Sequence, residues 1–246
     1  MKLLKDIANW KNPLEETNDD DAPSQLIVEI TRNINRVFNG ELPDSVNKIW
    51  SRARICLIPK KSGHRPISIK CVWYRLLSKM MLSQISDKAK CVLAPDAVGV
   101  GIKGAIEVVI DMVSKASERI VHEGSGQFEE NSFIISFDIK NCFNMVSTTS
   151  IYDQLKDICP EAVRFFKSMY GAPNDLIMNG SKVGELSIGV AQGDPLSMLL
   201  ASFALRRPFQ ELKDAMIKET DKQRAKGLKQ LDLIHISYAD DSYYCT

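Results

Sequence analysis

No aspartate or glutamate occurs between Ser45 and Ser86, although the 246-residue chain as a whole balances 31 acids against 32 bases. No Cys-x-x-Cys pair occurs either; the six cysteines, at 56, 71, 91, 142, 159 and 245, have no regular spacing. That excludes a zinc ribbon and a disulfide framework, and it predicts free, mostly buried thiols in a reducing compartment. No basic-then-apolar start resembles a signal peptide, and no apolar run approaches the length that crosses a bilayer. The expectation is an intracellular, soluble chain with no membrane partner, with nuclear and cytoplasmic residence both open. Internal repeats and low-complexity tracts are absent as well. With 44% hydrophobic and 26% charged residues, the composition is that of a globular protein with a core of its own.

Where acids are missing, bases gather. Lys48, Arg52, Arg54, Lys60, Lys61, Arg65, Lys70, Arg75 and Lys79 all fall inside the acid-free window, whereas residues 1–44 carry nine acids against five bases. A segment of one sign repels itself unless an anion relieves it. The window therefore predicts a surface for phosphates, with a plain solvated basic face as the alternative.

Residues 11–24 (KNPLEETNDDDAPS) read as a polar loop. Apolar residues at 26, 30, 34 and 37, followed by Gly40, predict an amphipathic helix and its stop. ARICLI (53–58) and PISI (66–69) predict two strands joined by a basic, glycine-containing turn. Helical periodicity covers 73–86 and 104–123, and HEGSGQFEEN follows as a loop. SFIISFD (132–138) has the pattern of a strand buried on both faces. Helices are expected from near Ser147 and after Pro160, then a hairpin at Asn179-Gly180. A long helix is expected from about Pro195 to Thr220, with Asp194 near its N-cap. The basic DKQRAKGLKQ reads as a loop and LDLIHISY as a closing strand, which makes the class α+β.

Two groups of acids differ in their framing. Asp19–Asp21 lie in a polar loop with no apolar flank, whereas Asp240 and Asp241 stand in HISYADDSYYCT between β-rich runs. Adjacent carboxylates held ionised on a rigid turn call for a cation. Asp138 ends SFIISFD, where an apolar strand runs out into polar chain. Neighbouring strands could bring Asp138 to Asp240 and Asp241, giving an all-oxygen site suited to Mg²⁺; the alternative is that Asp138 only caps its strand.

FDIKNCFNMV, GVAQGDPLSMLLA and ISYADD together resemble, in order and separation, the A, B and C motifs of reverse transcriptases. LPDSVNKIWSRARICLIPKKSGHRPISI looks like the fingers segment that precedes them. The wording is most similar to non-LTR (LINE-type) retrotransposon enzymes, particularly QGDPLS and VGVGIKGAIEVV, with group II intron enzymes as near relatives. The resemblance covers about residues 42–246.

It implies an RNA-directed DNA polymerase that extends a DNA primer 3′-hydroxyl on an RNA template with deoxynucleoside triphosphates. Asp138, Asp240 and Asp241 would hold two Mg²⁺ ions, or Mn²⁺ in their place, with the Ile139 carbonyl as a further ligand. Phe143 falls where the family sets an aromatic ring against the incoming sugar, excluding a 2′-hydroxyl; packing in the core is its alternative role. Arg65, with Lys60 or Lys61, matches the residues that contact the triphosphate. Gln192, Gly193, Pro195 and Leu196 match the loop beside template and nucleotide, and Tyr238 falls next to the primer and template. Asp194 is read as a cap rather than a metal ligand. His64, His122 and His235 have no matching role.

Met198 stands where relatives often have proline, and Ser242 where an apolar residue is commoner. The family continues beyond the aspartate pair into more palm and a helical thumb, so the implied fold is a right-hand polymerase fragment: fingers and most of the palm. The expected division is an N-terminal extension and helix at 1–41, a fingers-like region at 42–130 and a palm-like region at 131–246, ending after the YADD turn. Thumb and endonuclease domains would belong to a parent polyprotein. A second function stays open, a catalytically incomplete remnant that retains only nucleic-acid binding.

Overall fold

The computed structural model describes residues 25–61, 63–120, 133–225, 233–239 and 241–245. The expected loops at 11–24 and HEGSGQFEEN, and Asp240, lie outside the described residues. In chain order the elements are α1 (Gln25–Phe38), α2 (Asp44–Ser51), β1 (Ala53–Lys60), β2 (Gly63–Lys70), α3 (Val72–Leu93), α4 (Ala105–Ile120) and β3 (Ile134–Asp138). Then come α5 (Cys142–Met145), α6 (Thr148–Ile158), α7 (Pro160–Tyr170), β4 (Asn174–Met178), β5 (Ser181–Leu186), α8 (Ser197–Ala225), β6 (Ile234–Tyr238) and β7 (Asp241–Cys245).

Two sheets organise the described residues. One has the order β2-β1-β4-β5, with β1 and β2 paired along their whole length and turning between Lys60 and Gly63. β4 joins β1 in parallel through Ala53 and Arg54, so residues 53–70 and 174–186 share one sheet. The expected hairpin forms at Asn179 and Gly180, both with positive φ as a two-residue turn of this hand requires. The other sheet has the order β3-β7-β6, antiparallel throughout. Its β6 edge is extended by the chain at Asp96–Val98: Ser237 N–H donates to the Asp96 carbonyl at 2.7 Å and Val98 N–H to the Ser237 carbonyl at 2.9 Å.

Helices α3, α6, α7 and α8 enclose the main core, built on Tyr74, Met81, Ile85, Ile151, Leu155, Phe165, Leu199 and Phe203. A smaller cluster beneath α4 joins Val98, Val109 and Ile236 to Tyr238 and Tyr243. No helix among the described residues is long and apolar enough to cross a membrane.

Four sequence expectations need correction. Among the described residues β3 is an edge strand, not one buried on both faces, and four of its five residues are exposed, Ile135 and Phe137 by little more than a third. α8 begins at Ser197, not Pro195, and runs through Ala225 into the stretch read as a loop. In the preceding turn the Ser197 Oγ lies 2.6 Å from the Ala191 carbonyl and 2.7 Å from the Asp194 carbonyl, with its one proton to share between them. α3 runs to Leu93, well past residue 86, and stops just before Pro95. Finally, the thiols are free, but half of them (Cys56, Cys71 and Cys91) are exposed.

Candidate active site

Alternation along paired strands places Tyr238, Asp241 and Asp138 in one row across β6, β7 and β3, since Asp241 is the register partner of both others. Direct partners point to the same face, with their Cβ atoms about 4.5–5.5 Å apart. Asp138 and Asp241 are exposed and Tyr238 is half-buried. Among the described residues no third carboxylate, histidine or cysteine completes a metal-binding group with the two aspartates. Their oxygens are nonetheless a hard donor set that fits a divalent cation such as Mg²⁺. The Ile139 carbonyl accepts the Cys142 N–H at 3.1 Å, which leaves its second lone pair for a ligand.

On the opposite face of this sheet, His235 and Ser237 of β6 and Ser242 and Tyr244 of β7 are buried, while Ile135 and Phe137 of β3 are exposed. His235 stacks on Tyr244 at 4.3 Å between ring centroids, and Phe209 of α8 meets His235 edge-on at 5.1 Å. Burial pushes the His235 imidazole down to about 4; nearby Asp96 opposes the shift and Lys213 adds to it. The neutral ring shares a 2.8 Å hydrogen bond with the buried Ser242 hydroxyl. Ser242, an unusual choice by sequence, is thus the polar partner of a histidine behind the aspartate row.

A wall continues from Asp138. α5 follows it and carries Phe143, half-buried against the main core. The Phe143 carbonyl accepts the Val190 N–H at 2.6 Å. Gly189 packs so tightly on α5 that a Cβ would lie 2.4 Å from the Asn144 carbonyl carbon. The loop then reaches β2, where Ser68 N–H donates to the Gln192 carbonyl at 2.7 Å. Gly193 has φ +111°, and a Cβ there would lie 2.8 Å from the Ser68 carbonyl oxygen. Gln192 and Pro195 are half-buried and Leu196 is buried in the core. Lys60, Lys61 and Arg65 are exposed at and near the tip of the β1–β2 hairpin, with Arg65 opposite Ile58. The structure thus joins Phe143, the Gln192–Gly193 loop and β2 through direct contacts, with Asp138 five residues before Phe143 in the chain, and leaves the two lysines on the outer tip.

Behind the loop lies a group that sequence reasoning missed. Asp194 is buried, and its Oδ2 accepts the phenol hydroxyls of Tyr74 (α3) and Tyr170 (α7), the latter at 2.5 Å. Its Oδ1 accepts the Leu196 N–H at 2.9 Å. The Lys70 ammonium sits 3.7 Å from Oδ2, over the Tyr74 and Tyr170 rings at 4.1 and 4.2 Å from their centroids. Its side chain is fully buried, and among the described residues its Nζ has no hydrogen-bond partner. Burial pushes Lys70 down to about 8, against the opposing pull of Asp194. Both phenols are pushed well above their ordinary value, by burial first and then by the Asp194 charge. Of the nine bases in the acid-free window, Lys70 is the one that faces the core; the other eight are exposed. Its parity with buried Ser68 on β2 is the signal that a count of charges conceals.

The family model described as "Reverse transcriptase (RNA-dependent DNA polymerase)" matches residues 58–246, more than half of the chain. The chain belongs to the reverse transcriptase family. Among solved structures it is similar to apo telomerase from Candida tropicalis (TM-score 0.55, 14% identity, 91% of this chain and 44% of that one). It is similar also to Candida tropicalis telomerase in complex with a fragment of telomeric RNA (TM-score 0.52, 13% identity, 81% and 36%). At these identities the likeness is one of fold, and the chain spans less than half the length of either neighbour. The fold is that of fingers and palm in a reverse transcriptase. Within it the aspartate row lies on the sheet β3-β7-β6, and the triphosphate candidates lie on the hairpin β1–β2.

Proposed function

We propose that this chain is the RNA-directed DNA polymerase core of a non-LTR-type retroelement, extending a DNA primer on an RNA template with deoxynucleoside triphosphates. The observation that carries the proposal is the direct pairing of Asp138 with Asp241 at one end of a wall that runs through Phe143 and Gln192 to β2. Asp138 and Asp241, with Asp240, would hold two Mg²⁺ ions. When bound, these activate the primer hydroxyl and offset charge on the departing pyrophosphate. The remaining work falls to the chain. Arg65 binds phosphate oxygens through its guanidinium fork, with Lys60 or Lys61 as a point charge beside it. Phe143 sets its ring against C2′ of the sugar and excludes a 2′-hydroxyl. Gln192 and Gly193 line the base and sugar, Gly193 without a Cβ in the way. Tyr238 and Pro195 support the primer and template strands, whereas Leu196, expected beside them, is buried in the core and only backs the loop.

The non-LTR assignment is supported by the wording of QGDPLS and VGVGIKGAIEVV. Primer extension on an RNA template with Mg²⁺ tests the activity. Incorporation by the wild-type chain, lost in Asp138→Ala and Asp240→Ala, is expected. Wild-type rates in either variant would overturn the metal-site assignment. RNA binding without incorporation would favour the second function, a nucleic-acid-binding remnant, which the eight exposed bases of residues 45–86 also suit.

A further inference from the structure

We infer that Lys70, Tyr74 and Tyr170 act with Asp194 as a positioning clamp, locking the Gln192–Gly193 loop to β2 so that the loop and Arg65 meet the incoming nucleotide as one body. The inference deepens the polymerase assignment and rests on it for the word nucleotide; the clamp itself rests on geometry alone.

The loop touches β2 at two levels. On the backbone, Ser68 N–H donates to the Gln192 carbonyl at 2.7 Å, and Gly193 lies against the Ser68 carbonyl. Through side chains, Lys70, two residues further along the same strand, faces Asp194, the residue after Gly193. A buried carboxylate is costly unless its lone pairs are filled and its charge is offset. Asp194 meets both needs with ligands from four places in the chain: Lys70 on β2, Tyr74 on α3, Tyr170 at the end of α7, and the Leu196 amide. Moving the loop away from β2 would strand the carboxylate and the ammonium in an apolar core. Loop and strand therefore shift together or not at all.

A residue needed only for the core would lower stability evenly when removed. A clamp predicts something narrower. Arg65 sits on the same strand as Ser68 and Lys70, so loosening the clamp separates Arg65 from Gln192. Nucleotide affinity should then suffer while template–primer affinity and the chemical step do not.

The test compares wild type with Lys70→Met and with Tyr170→Phe, which deletes one hydroxyl and keeps the ring should the lysine variant fold poorly. Amide hydrogen exchange is read at Ser68 and Leu196, whose N–H groups donate into the loop, with the amides of α6 as reference. Exchange at both is expected to speed up about tenfold or more in the variants, with α6 unchanged. In primer extension, KM for the deoxynucleoside triphosphate is expected to rise about fivefold or more, with kcat and template–primer Kd within about twofold. Unchanged exchange at Ser68, or an unchanged KM where wild type extends primer, overturns the clamp. Equal acceleration at α6 also overturns it, as mere loss of stability. Wild type that extends no primer removes the polymerase assignment, and the exchange measurement still decides the clamp.

Discussion

Asp138 and Asp241 are direct partners across β3 and β7, and both are exposed. Like charges directly opposite each other weaken a strand pair by roughly 0.2–1 kcal/mol, and a bound cation reverses the sign. Thermal unfolding with and without Mg²⁺ reads both effects. Wild type should gain Tm on adding millimolar Mg²⁺ or Mn²⁺. Asp138→Asn should start slightly more stable without metal and gain little from it. An equal metal-induced gain in the two proteins would mean that the cation binds elsewhere.

Phe143 has two claims on its ring, the sugar of the incoming nucleotide and the main core. Phe143→Val should separate them. Half-burial limits the stability loss to roughly 1–2 kcal/mol, below that of a fully buried phenylalanine. Discrimination against ribonucleoside triphosphates, measured as a ratio of kcat/KM values, should fall about tenfold or more. Loss of stability with discrimination intact would assign Phe143 to the core alone.

Gly193 and Gly180 both have positive φ, +111° and +81°, but their surroundings differ. Alanine at Gly180 meets nothing within 4 Å, whereas at Gly193 its Cβ would lie 2.8 Å from the Ser68 carbonyl oxygen. Both variants carry a backbone cost of about 1 kcal/mol or more. Gly193→Ala should cost further stability, because β2 and the loop must part, and should raise KM for the nucleotide. Equal Tm losses in the two variants would show that the close approach to β2 is not strained by a Cβ.

His235 is held neutral, at about 4, against an ordinary value of 6.5. Its folded value is depressed, so the unfolded chain binds the extra proton first as pH falls. The stability that depends on neutral His235 is present above about pH 6.5 and is lost between there and pH 4. Urea unfolding at pH 7, 5.5 and 4.5 should show wild type falling faster than His235→Gln. Parallel curves would remove His235 as the source.

Local patterns were legible in the chain, and distant ones were not. The hairpin at Asn179-Gly180 and the strands flanking the aspartate turn depend on neighbours in sequence, and they form where expected. SFIISFD misled because an apolar run cannot distinguish a covered strand from an edge; that depends on what lies beside it. α8 extends through DKQRA because helix-forming polar residues need no buried face to continue a helix already nucleated. The cluster around Asp194 was out of reach for a related reason: Tyr74 lies 120 residues before it in sequence, and only the fold brings the two into contact. Asp194 does cap the turn, accepting the Leu196 N–H, but its contacts with Tyr74, Tyr170 and Lys70 make its role wider than a cap.

Lys70 offers the sharpest measurement, because its buried ammonium titrates where few other groups do. Burial lowers it from 10.5 to about 8. Below about pH 8 both folded and unfolded chains carry the proton, and the cost of burying the charge is fully present. Between pH 8 and 10.5 the unfolded chain still holds a proton that the folded chain has released, so stability rises with pH across that window. The groups that face Lys70 are Asp194, Tyr74, Tyr170 and Cys71, and the two phenols are raised well above their ordinary value. Wild type minus Lys70→Met therefore isolates the lysine. The free-energy difference between them, from urea unfolding at pH 7.5, 9 and 10, should shift steadily in favour of wild type. A difference that stays flat would mean that Lys70 keeps its charge throughout, with Asp194 outweighing burial.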